Sequence, residues 1–191
     1  MKLIKTDIEG VYIIEPKIFS DSRGYFFESF NAAKFEALSG IHTHFVQDNE
    51  SRSGAGVIRG LHFQRHPKAQ SKLVRVIQGE ILDIAVDLRR GSPTFGKHLS
   101  VVLSGENHRQ LFIPRGFAHG FVVRRGDAIL QYKCDNGYAP DCEGAIRWDD
   151  PTLAIDWGIA PHEAILSAKD SASPTLSECG ELFDYNIDYY A

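Results

Sequence analysis

Paired cysteines are missing from this sequence. Its 191 residues include only three cysteines, Cys134, Cys142 and Cys179, and none of them forms a CxxC pair. An odd number of thiols at such spacings argues against a disulfide scaffold and against a structural zinc site. We therefore expect a reducing, cytoplasmic setting for this protein.

Long apolar runs are missing as well. Residues 1–7 carry charges where a signal peptide needs an unbroken apolar core. No apolar run approaches the roughly 20 residues that a membrane-spanning helix requires. The sequence thus predicts neither export nor insertion into a membrane.

The sequence has no excess of positive charge over negative charge. Lysine and arginine number 21 against 25 aspartate and glutamate residues, which gives a formal net charge of −4. Because a protein that binds nucleic acid over a broad face is usually basic, we expect no nucleic-acid partner. A small anionic ligand needs only a few local arginines and is compatible with this charge.

What the sequence does contain is typical of a globular protein. Hydrophobic residues make up 43% of the chain and charged residues 24%, and a chain of this length suffices for one substantial core. No linker, repeat or low-complexity tract divides it. We expect one domain over residues 1–191.

Short strands dominate the pattern. In residues 81–88, four apolar side chains share one face while Asp83 and Asp87 take the other. Eight or more such strands joined by brief turns predict an all-β sandwich or barrel, most simply a jelly roll. The other predicted strands cover residues 25–30, 43–49, 57–64, 72–78, 97–103, 109–113, 119–124 and 127–134.

Helices are predicted only at the periphery of this fold. Asn31 fits the cap of a short helix that ends at Gly40. Ser173 and Pro174 fit the cap and the first residue of a helix near the C-terminal end of the sequence.

Two segments each carry one histidine on a predicted strand: Arg59–Gln64 with His62, and Ile113–Phe121 with His119. Both histidines are expected to face the inside of the barrel. A metal-binding jelly roll would use a His-x-His pair with a carboxylate and a further histidine, but Gln64 stands where the second histidine of that pair would be. The pattern favours an imidazole that acts as a base.

Strand alternation separates Arg59 from His62, since residues three apart on a regular strand point to opposite faces. If both side chains serve one cavity, either a local bulge turns the strand or Arg59 reaches a site in a neighbouring subunit.

Eight short motifs are spread over most of the chain. They are Arg23–Glu28, Gln47–Ser51, Gly56–Gln64, Lys72–Val74, Val86–Arg89, Ser92–Gly96, Ile113–Phe121 and Trp148–Pro151. In this order they resemble the dTDP-4-dehydrorhamnose 3,5-epimerase family, over about residues 2–176. The resemblance implies a cupin-type jelly roll with short peripheral helices, a homodimer whose N-terminal strands cross between subunits, a cytoplasmic setting, and no metal or cofactor.

The resemblance also implies an activity. The family inverts the two carbons that flank the ketone of dTDP-4-dehydro-6-deoxy-D-glucose, in the synthesis of dTDP-L-rhamnose for surface polysaccharide. By resemblance His62 is the base, Asp170 orients its imidazole, Lys72 lies beside the ketone oxygen, and Tyr132 is the acid on the opposite face. Inversion next to a carbonyl needs a base, an acid and a group that holds the enolate charge, so these residue types suit the chemistry.

Binding residues carry over in the same way. Guanidinium groups suit diphosphate oxygens, and a tyrosine suits stacking on thymine. The implied binding residues are Arg23, Glu28, Gln47, Asn49, Arg59, Lys72, His119, Tyr138, Glu143 and Lys169. Because the family's N-terminal strands cross between subunits, Arg23 and Glu28 would reach the pocket of the second subunit.

Three alternatives stay open on sequence alone. A mono-epimerase would invert only one of the two carbons of the same nucleotide sugar. A metal-dependent cupin oxygenase or isomerase would need ligands beyond His42 and His44, which share a strand face but make no closed site. A module that only binds a nucleotide sugar would have no need of His62, Lys72 and Tyr132 together.

Overall fold

Strands make up most of the secondary structure of this chain in a computed structural model, which describes residues 1–191. The strands are β1 (Lys2–Lys5), β2 (Tyr12–Glu15), β3 (Phe19–Asp21), β4 (Gly24–Phe26), β5 (Gln47–Gly54), β6 (Ile58–Gln64), β7 (Lys72–Gln78), β8 (Glu80–Asp87), β9 (Arg89–Arg90), β10 (His98–Ser104), β11 (Gln110–Ile113), β12 (Phe117–Val122), β13 (Asp127–Cys134), β14 (Glu143–Ala145) and β15 (Phe183–Asp184). The α-helices are α1 (Ala32–Ser39) and α2 (Ala168–Ser171), and single 3-10 turns occur at Pro140–Cys142 and Pro161–Glu163.

Two large antiparallel sheets form the body of the molecule. One has six strands in the order β1-β2-β11-β7-β13-β5, and the other has five in the order β10-β8-β12-β6-β14. The hairpin β3–β4 and the parallel pair β9–β15 form two small additional sheets. This arrangement confirms the predicted all-β jelly roll with short peripheral helices.

Strand β8 shows how the chain fills both sides of the five-stranded sheet. Leu82 and Ile84 share one face, as the alternation predicts, and pack with Trp157 on the outside of the two-sheet body. Ala85 on the opposite face belongs to the apolar cluster between the sheets. Asp83 lies on that inner face and is completely buried, which marks where the apolar core gives way to a polar cavity.

Helix α1 covers the outer face of the six-stranded sheet, where Phe35 packs against Phe112 with ring centroids 4.8 Å apart. The Asn31 side chain accepts a hydrogen bond from the Lys34 N–H at 3.1 Å, and the helix ends at Gly40, whose φ is 73°. Both predicted ends of this helix are confirmed, by the capping chemistry expected of asparagine and glycine.

The helix predicted from Ser173 and Pro174 is wrong. After Pro174 the N–H of Leu176 donates to Asp150 Oδ2 at 2.7 Å, which ties the chain to the body of the protein and leaves only a turn. The second helix is α2, which lies earlier and is capped by Ser167.

Two predicted strands have different bounds in the structure: β5 is displaced along the chain and β4 is shorter than expected. Strand β5 begins at Gln47 rather than at residue 43, since its partner β13 ends opposite Gln47 at Cys134. Strand β4 ends at Phe26 rather than at residue 30, because Phe26 pairs with Phe19, the first residue of β3. A strand persists only as far as a neighbour accepts its hydrogen bonds.

No helix in the structure has both the length and the apolar character needed to cross a membrane.

Candidate active site

An open cavity of about 610 Å³ is lined by residues of both large sheets, a volume typical of small-molecule sites. Every predicted site residue except Arg23 and Glu28 lines this cavity. The predicted residues on its wall are His62, Tyr132, Asp170, Lys72, Gln47, Asn49, Arg59, His119, Tyr138, Glu143 and Lys169.

A β-bulge brings Arg59 and His62 to the same cavity. His62 pairs with His119 and Arg59 pairs with Phe121, so the register between β6 and β12 shifts by one residue. Gly60 lies inside the bulge with φ of 129°, and a Cβ at Gly60 would come within 2.5 Å of a backbone atom of β12. Glycine is therefore required here, and the bulge resolves the conflict that regular alternation predicts.

His62 is hydrogen-bonded to Asp170 at the edge of the cavity. Its Nε2 lies 2.5 Å from Asp170 Oδ1, and the imidazole keeps 33% of its surface exposed while the carboxylate keeps 5%. An ionised carboxylate only accepts hydrogen bonds, so the proton of the neutral ring is on Nε2. Nδ1 is left as the basic nitrogen, which is the arrangement that a general base needs.

Ser167 holds the other side of this carboxylate. Its Oγ donates to Asp170 Oδ2 at 2.9 Å and accepts from the Asp170 N–H at 3.0 Å. Burial alone would raise the pKa of Asp170, but the contacts with His62 and Ser167 outweigh it, so the pKa lies below its usual value. Asp170 is therefore ionised at neutral pH, as an orienting carboxylate must be.

A second histidine–aspartate pair lies on the neighbouring strands. His119 Nε2 is 2.7 Å from Asp83 Oδ1, and their side chains are 9% and 0% exposed. Asp83 Oδ2 is buried without a hydrogen-bond partner. Burial raises the pKa of Asp83, while the charges of His119 and Lys72 oppose the rise.

Lys72 begins strand β7 and lines the cavity without any side-chain hydrogen bond or ion pair of its own. Burial lowers the pKa of its ammonium, while Cys134 and the carboxylates of Asp83 and Glu143 oppose this change. An unpaired, partly desolvated cation is poised to bind a negative oxygen.

Tyr132 enters the cavity from the six-stranded sheet, whereas His62 enters from the five-stranded sheet. Burial raises the pKa of the Tyr132 phenol, against the opposing charge of Arg59. The hydroxyl therefore stays protonated at neutral pH, which is the state that a proton donor requires.

The thiol of Cys134 lines the cavity between Asn49 and Lys72. Asn49 Nδ2 donates to its Sγ at 3.7 Å. Burial raises the pKa of Cys134 to about 11, although the Lys72 ammonium opposes this rise. A thiol in that state is neutral and is a poor nucleophile.

The rim of the cavity carries a small polar network. Tyr138 OH donates to Glu143 Oε2 at 2.9 Å, and Lys169 Nζ lies 2.6 Å from the same oxygen. The N–H of Tyr138 donates to Gln47 Oε1 at 3.0 Å. Tyr138 is nevertheless 58% exposed, so its ring is free to stack on a flat ligand group.

Arg23 and Glu28 lie outside this cavity in the single chain. Arg23 is on the exposed hairpin β3–β4, where its side chain pairs with Asp21 at 2.6 Å and remains 87% exposed. Glu28 pairs instead with Lys34 at 2.7 Å. Both side chains are exposed in the single chain.

Sequence reasoning missed two residues that support the site, Asp83 and Ser167. The segment Ser167–Asp170 has the spacing of a helix N-cap followed by an acidic third residue, which could have predicted both α2 and its serine. Asp83 is an acidic residue in the middle of the apolar stretch 81–86 of β8, a pattern that points to a buried polar partner.

The structure contains no group of three or more His, Cys, Asp or Glu side chains that could hold a metal ion. His42, which shares a face with His44 in the sequence, pairs instead with Glu36 at 3.2 Å on the surface.

Comparison with known proteins supplies an independent test of the resemblance. A family model described as dTDP-4-dehydrorhamnose 3,5-epimerase matches residues 5–178. The curated dTDP-4-dehydrorhamnose 3,5-epimerase of Salmonella typhimurium is 53% identical over 178 residues, which are 93% of this chain and 97% of that protein.

Solved structures agree with this result. The dTDP-6-deoxy-D-glucose-3,5-epimerase of Legionella pneumophila, solved in complex with dTDP-4-keto-L-rhamnose, is 50% identical with a TM-score of 0.93, and the match covers 97% of this chain and 99% of that one. A 3′-monoepimerase from Streptomyces bikiniensis, solved with dTDP, is 34% identical with a TM-score of 0.88 and covers 95% and 92% of the two chains.

Proposed function

Because this chain belongs to the dTDP-4-dehydrorhamnose 3,5-epimerase family, we propose that it inverts both carbons flanking the ketone of dTDP-4-dehydro-6-deoxy-D-glucose. The product is dTDP-4-dehydro-L-rhamnose, on the route to dTDP-L-rhamnose. The chain is an isomerase of the epimerase type. The observation that supports the chemistry is the entry of His62, with its carboxylate Asp170, and of Tyr132 from different sheets into one cavity.

The first step is removal of a proton from carbon. Nδ1 of His62 takes the proton from the carbon next to the ketone. The electron pair of the broken C–H bond forms the C=C bond of the enolate, and the π pair of the carbonyl moves onto the ketone oxygen. Asp170 stabilises the imidazolium that forms, through the contact at Nε2. General base help of this kind typically contributes about 10²–10⁴-fold.

Lys72 binds the enolate oxygen. Its ammonium lacks a partner in this chain, so it meets the charge that appears only as the proton leaves. An oriented donor at such an oxygen contributes about 2.7–4 kcal/mol. Since a modest enzymatic acceleration of about 10⁶-fold requires roughly 8 kcal/mol, neither base nor cation suffices alone.

Tyr132 completes the inversion. Its phenol delivers a proton to the carbon from the face opposite His62, and the ketone re-forms. The tyrosinate and the imidazolium then return to their starting states by exchange with water in the open cavity. The raised pKa of Tyr132 keeps this donor loaded between turnovers.

The nucleotide occupies the rim in this proposal. The exposed ring of Tyr138 stacks on thymine, a contact that contributes roughly 1–3 kcal/mol in nucleic-acid complexes. Arg59, held by Ser53 Oγ at 3.0 Å, and Arg23 bind the diphosphate. Contacts to the sugar and nucleotide come from Glu28, Gln47, Asn49, His119, Glu143 and Lys169.

We further propose a homodimer in the cytoplasm, with residues 1–191 as one epimerase domain. The hairpin β3–β4 supports the dimer, since Phe19, Tyr25 and Phe26 are 53%, 59% and 69% exposed and clustered aromatic surface of this kind is usually covered. A hairpin that crosses to a second copy would carry Arg23 and Glu28 to the second cavity.

Mixing two inactive variants tests this crossing. An Arg23→Ala chain and a His62→Ala chain, unfolded and refolded together, should regain activity if Arg23 acts across the dimer, because each mixed dimer then has one intact cavity. If the mixture stays as inactive as its components, Arg23 serves its own chain.

Incubation with dTDP-4-dehydro-6-deoxy-D-glucose in heavy water tests the reaction. Mass and proton spectra should show deuterium at both carbons and the inverted product. Deuterium at one carbon only would indicate a mono-epimerase, and none at either carbon would indicate a binding module. Activity should survive a strong chelator, whereas a loss restored by iron or manganese would indicate a metal-dependent cupin.

The Tyr132→Phe variant tests the acid. Washout of the carbon-bound hydrogen needs only His62, so exchange should continue while inversion falls. Equal loss of exchange and inversion would remove the role proposed for Tyr132.

A further inference from the structure

Residues 183–191 follow the part of the chain that the family model matches, and they pack against the strand ends that carry the cavity cation. From this packing we infer that Tyr190 is a positioning residue for Lys72. The inference rests on the proposed role of Lys72 at the ketone oxygen and adds a residue that does not touch the cavity.

The phenol of Tyr190 joins two parts of the fold. Its oxygen lies 2.6 Å from Ser71 Oγ and accepts a hydrogen bond from the Arg115 N–H at 3.2 Å. The Arg115 guanidinium lies over the Tyr190 ring, 5.0 Å from its centroid. Tyr190 thus connects the residue before β7 to the turn between β11 and β12.

A buried carboxylate closes the network. Asp135 Oδ1 accepts from the Ser71 N–H at 2.6 Å, and Asp135 Oδ2 accepts from Arg115 Nε at 3.1 Å. Ser71 is 0% exposed and Asp135 is 7% exposed. Hydrogen bonds between buried groups of this kind define geometry, because breaking one leaves an unsatisfied polar atom.

Ser71 immediately precedes Lys72 in the chain. Asp135 immediately follows Cys134, which is the cross-strand neighbour of Lys72. Lys72 makes no side-chain bond of its own in this structure. The position of its ammonium therefore depends on the backbone at the start of β7, which the Tyr190 network fixes from outside the cavity.

The Tyr190→Phe variant tests this positioning role. It keeps the ring over Arg115 and removes the two hydroxyl contacts. We expect kcat to fall between about 10-fold and 10²-fold, the cost of a small misplacement of a reacting group. Affinity for dTDP should stay unchanged, and the alkaline limb of the kcat profile, where Lys72 loses its proton, should move.

Tyr189→Phe is the matched control. Its hydroxyl accepts from the Asp184 N–H at 2.8 Å, within the same segment and away from Ser71. This variant should keep kcat and the alkaline limb of the wild type, even if its melting temperature falls. Ser71→Ala removes only the contact between Ser71 Oγ and Tyr190 OH, so alone it should show the same kind of defect as Tyr190→Phe and no larger. The double variant should be no worse than Tyr190→Phe, because the contact that the two residues share can be lost only once.

The possible failures are distinct. If the wild type exchanges no deuterium, or if Lys72→Met turns over normally, the proposed function fails. If those two tests succeed while Tyr190→Phe behaves like Tyr189→Phe in kcat and in the alkaline limb, the role of Tyr190 is purely structural and this inference is wrong.

Discussion

The histidines of two histidine–aspartate pairs, His62 and His119, lie side by side on strands β6 and β12, and the two pairs differ in how the carboxylate is held. Asp170 is bonded on both oxygens, and its pKa is lowered. Asp83 is bonded on one oxygen only, and burial raises its pKa. The same two residue types thus provide a firmly ionised carboxylate in one place and a destabilised one in the other.

The histidine whose carboxylate has the lowered pKa is also the more exposed of the two. His62 keeps 33% of its side-chain surface open, whereas His119 keeps 9%. A base must reach its substrate and shed its proton afterwards, which favours the open ring. The closed pair lies near Lys72, where its carboxylate favours the charged form of the ammonium. Environment, rather than residue type, separates base from electrostatic support.

Removing each ring should give the largest contrast. His62→Ala should abolish deuterium exchange at both carbons, with kcat lower by about 10²–10⁴-fold and dTDP affinity nearly unchanged. His119→Ala should retain exchange and weaken substrate binding. Exchange rates and calorimetric dTDP affinities measure both. Comparable turnover by the His62 variant would mean that the base is misassigned.

Neutralising each carboxylate should give a smaller contrast. Asp170→Asn lets the amide favour the wrong tautomer of His62, and kcat should fall by at most about 10²–10⁴-fold, which is what the base itself contributes. Asp83→Asn should cost less at neutral pH. It removes a negative charge beside Lys72, so the alkaline limb of its kcat profile should move to lower pH. If the alkaline limb does not move, the charge of Asp83 has no effect on the pKa of Lys72.

Loss of the serine behind Asp170 should cost less again. Ser167→Ala should lower kcat about tenfold, the equivalent of one hydrogen bond to a charged group. Ser167→Thr keeps the hydroxyl and should restore most of the rate. Ser171→Ala is the control, because its hydroxyl bonds only the Ser167 carbonyl in the same helix. Equal rates in all three variants would show that Asp170 needs no second partner.

The smallest effect is expected on stability. Lys72→Met should change the melting temperature slightly, and the size of this change should depend on pH. The folded pKa of Lys72 lies below the value of 10.5 expected of the unfolded chain. At a pH between the folded and the unfolded pKa of Lys72, the unfolded state binds more protons than the folded state does. The stability of the wild type therefore rises with pH in this range. The methionine variant should therefore melt higher near neutral pH, and its advantage should shrink as pH approaches 10.5. A constant difference across this range would contradict a buried, destabilised ammonium.

Local alternation in the sequence, most regular in β8, predicted the fold class, whereas most of the cavity wall was predicted from the family resemblance. Local alternation failed where a contact depends on a second strand. For Arg59 the sequence left two routes open, a bulge or a neighbouring subunit, and the structure shows the bulge, in which Gly60 meets Gly120. Strand β5 starts late because β13 stops, which is equally invisible to a local pattern.

Local sequence patterns also could not predict which aspartate pairs with each histidine. Asp170 reaches His62 across 108 residues of chain, and only the family resemblance suggested it. The sequence does contain a helix-capping pattern at Ser167. The prediction used Ser173 and Pro174 instead and therefore placed the helix too late in the chain.

The close crossing of Gly60 and Gly120 limits how this enzyme could be redesigned for other nucleotide sugars. A methyl group added at Gly60 would lie 2.5 Å from Gly120 Cα, so any side chain there must push two central strands apart. Libraries that diversify the mouth around Tyr138 leave this crossing intact, whereas libraries that include either glycine would mostly yield misaligned arginines instead of altered selectivity.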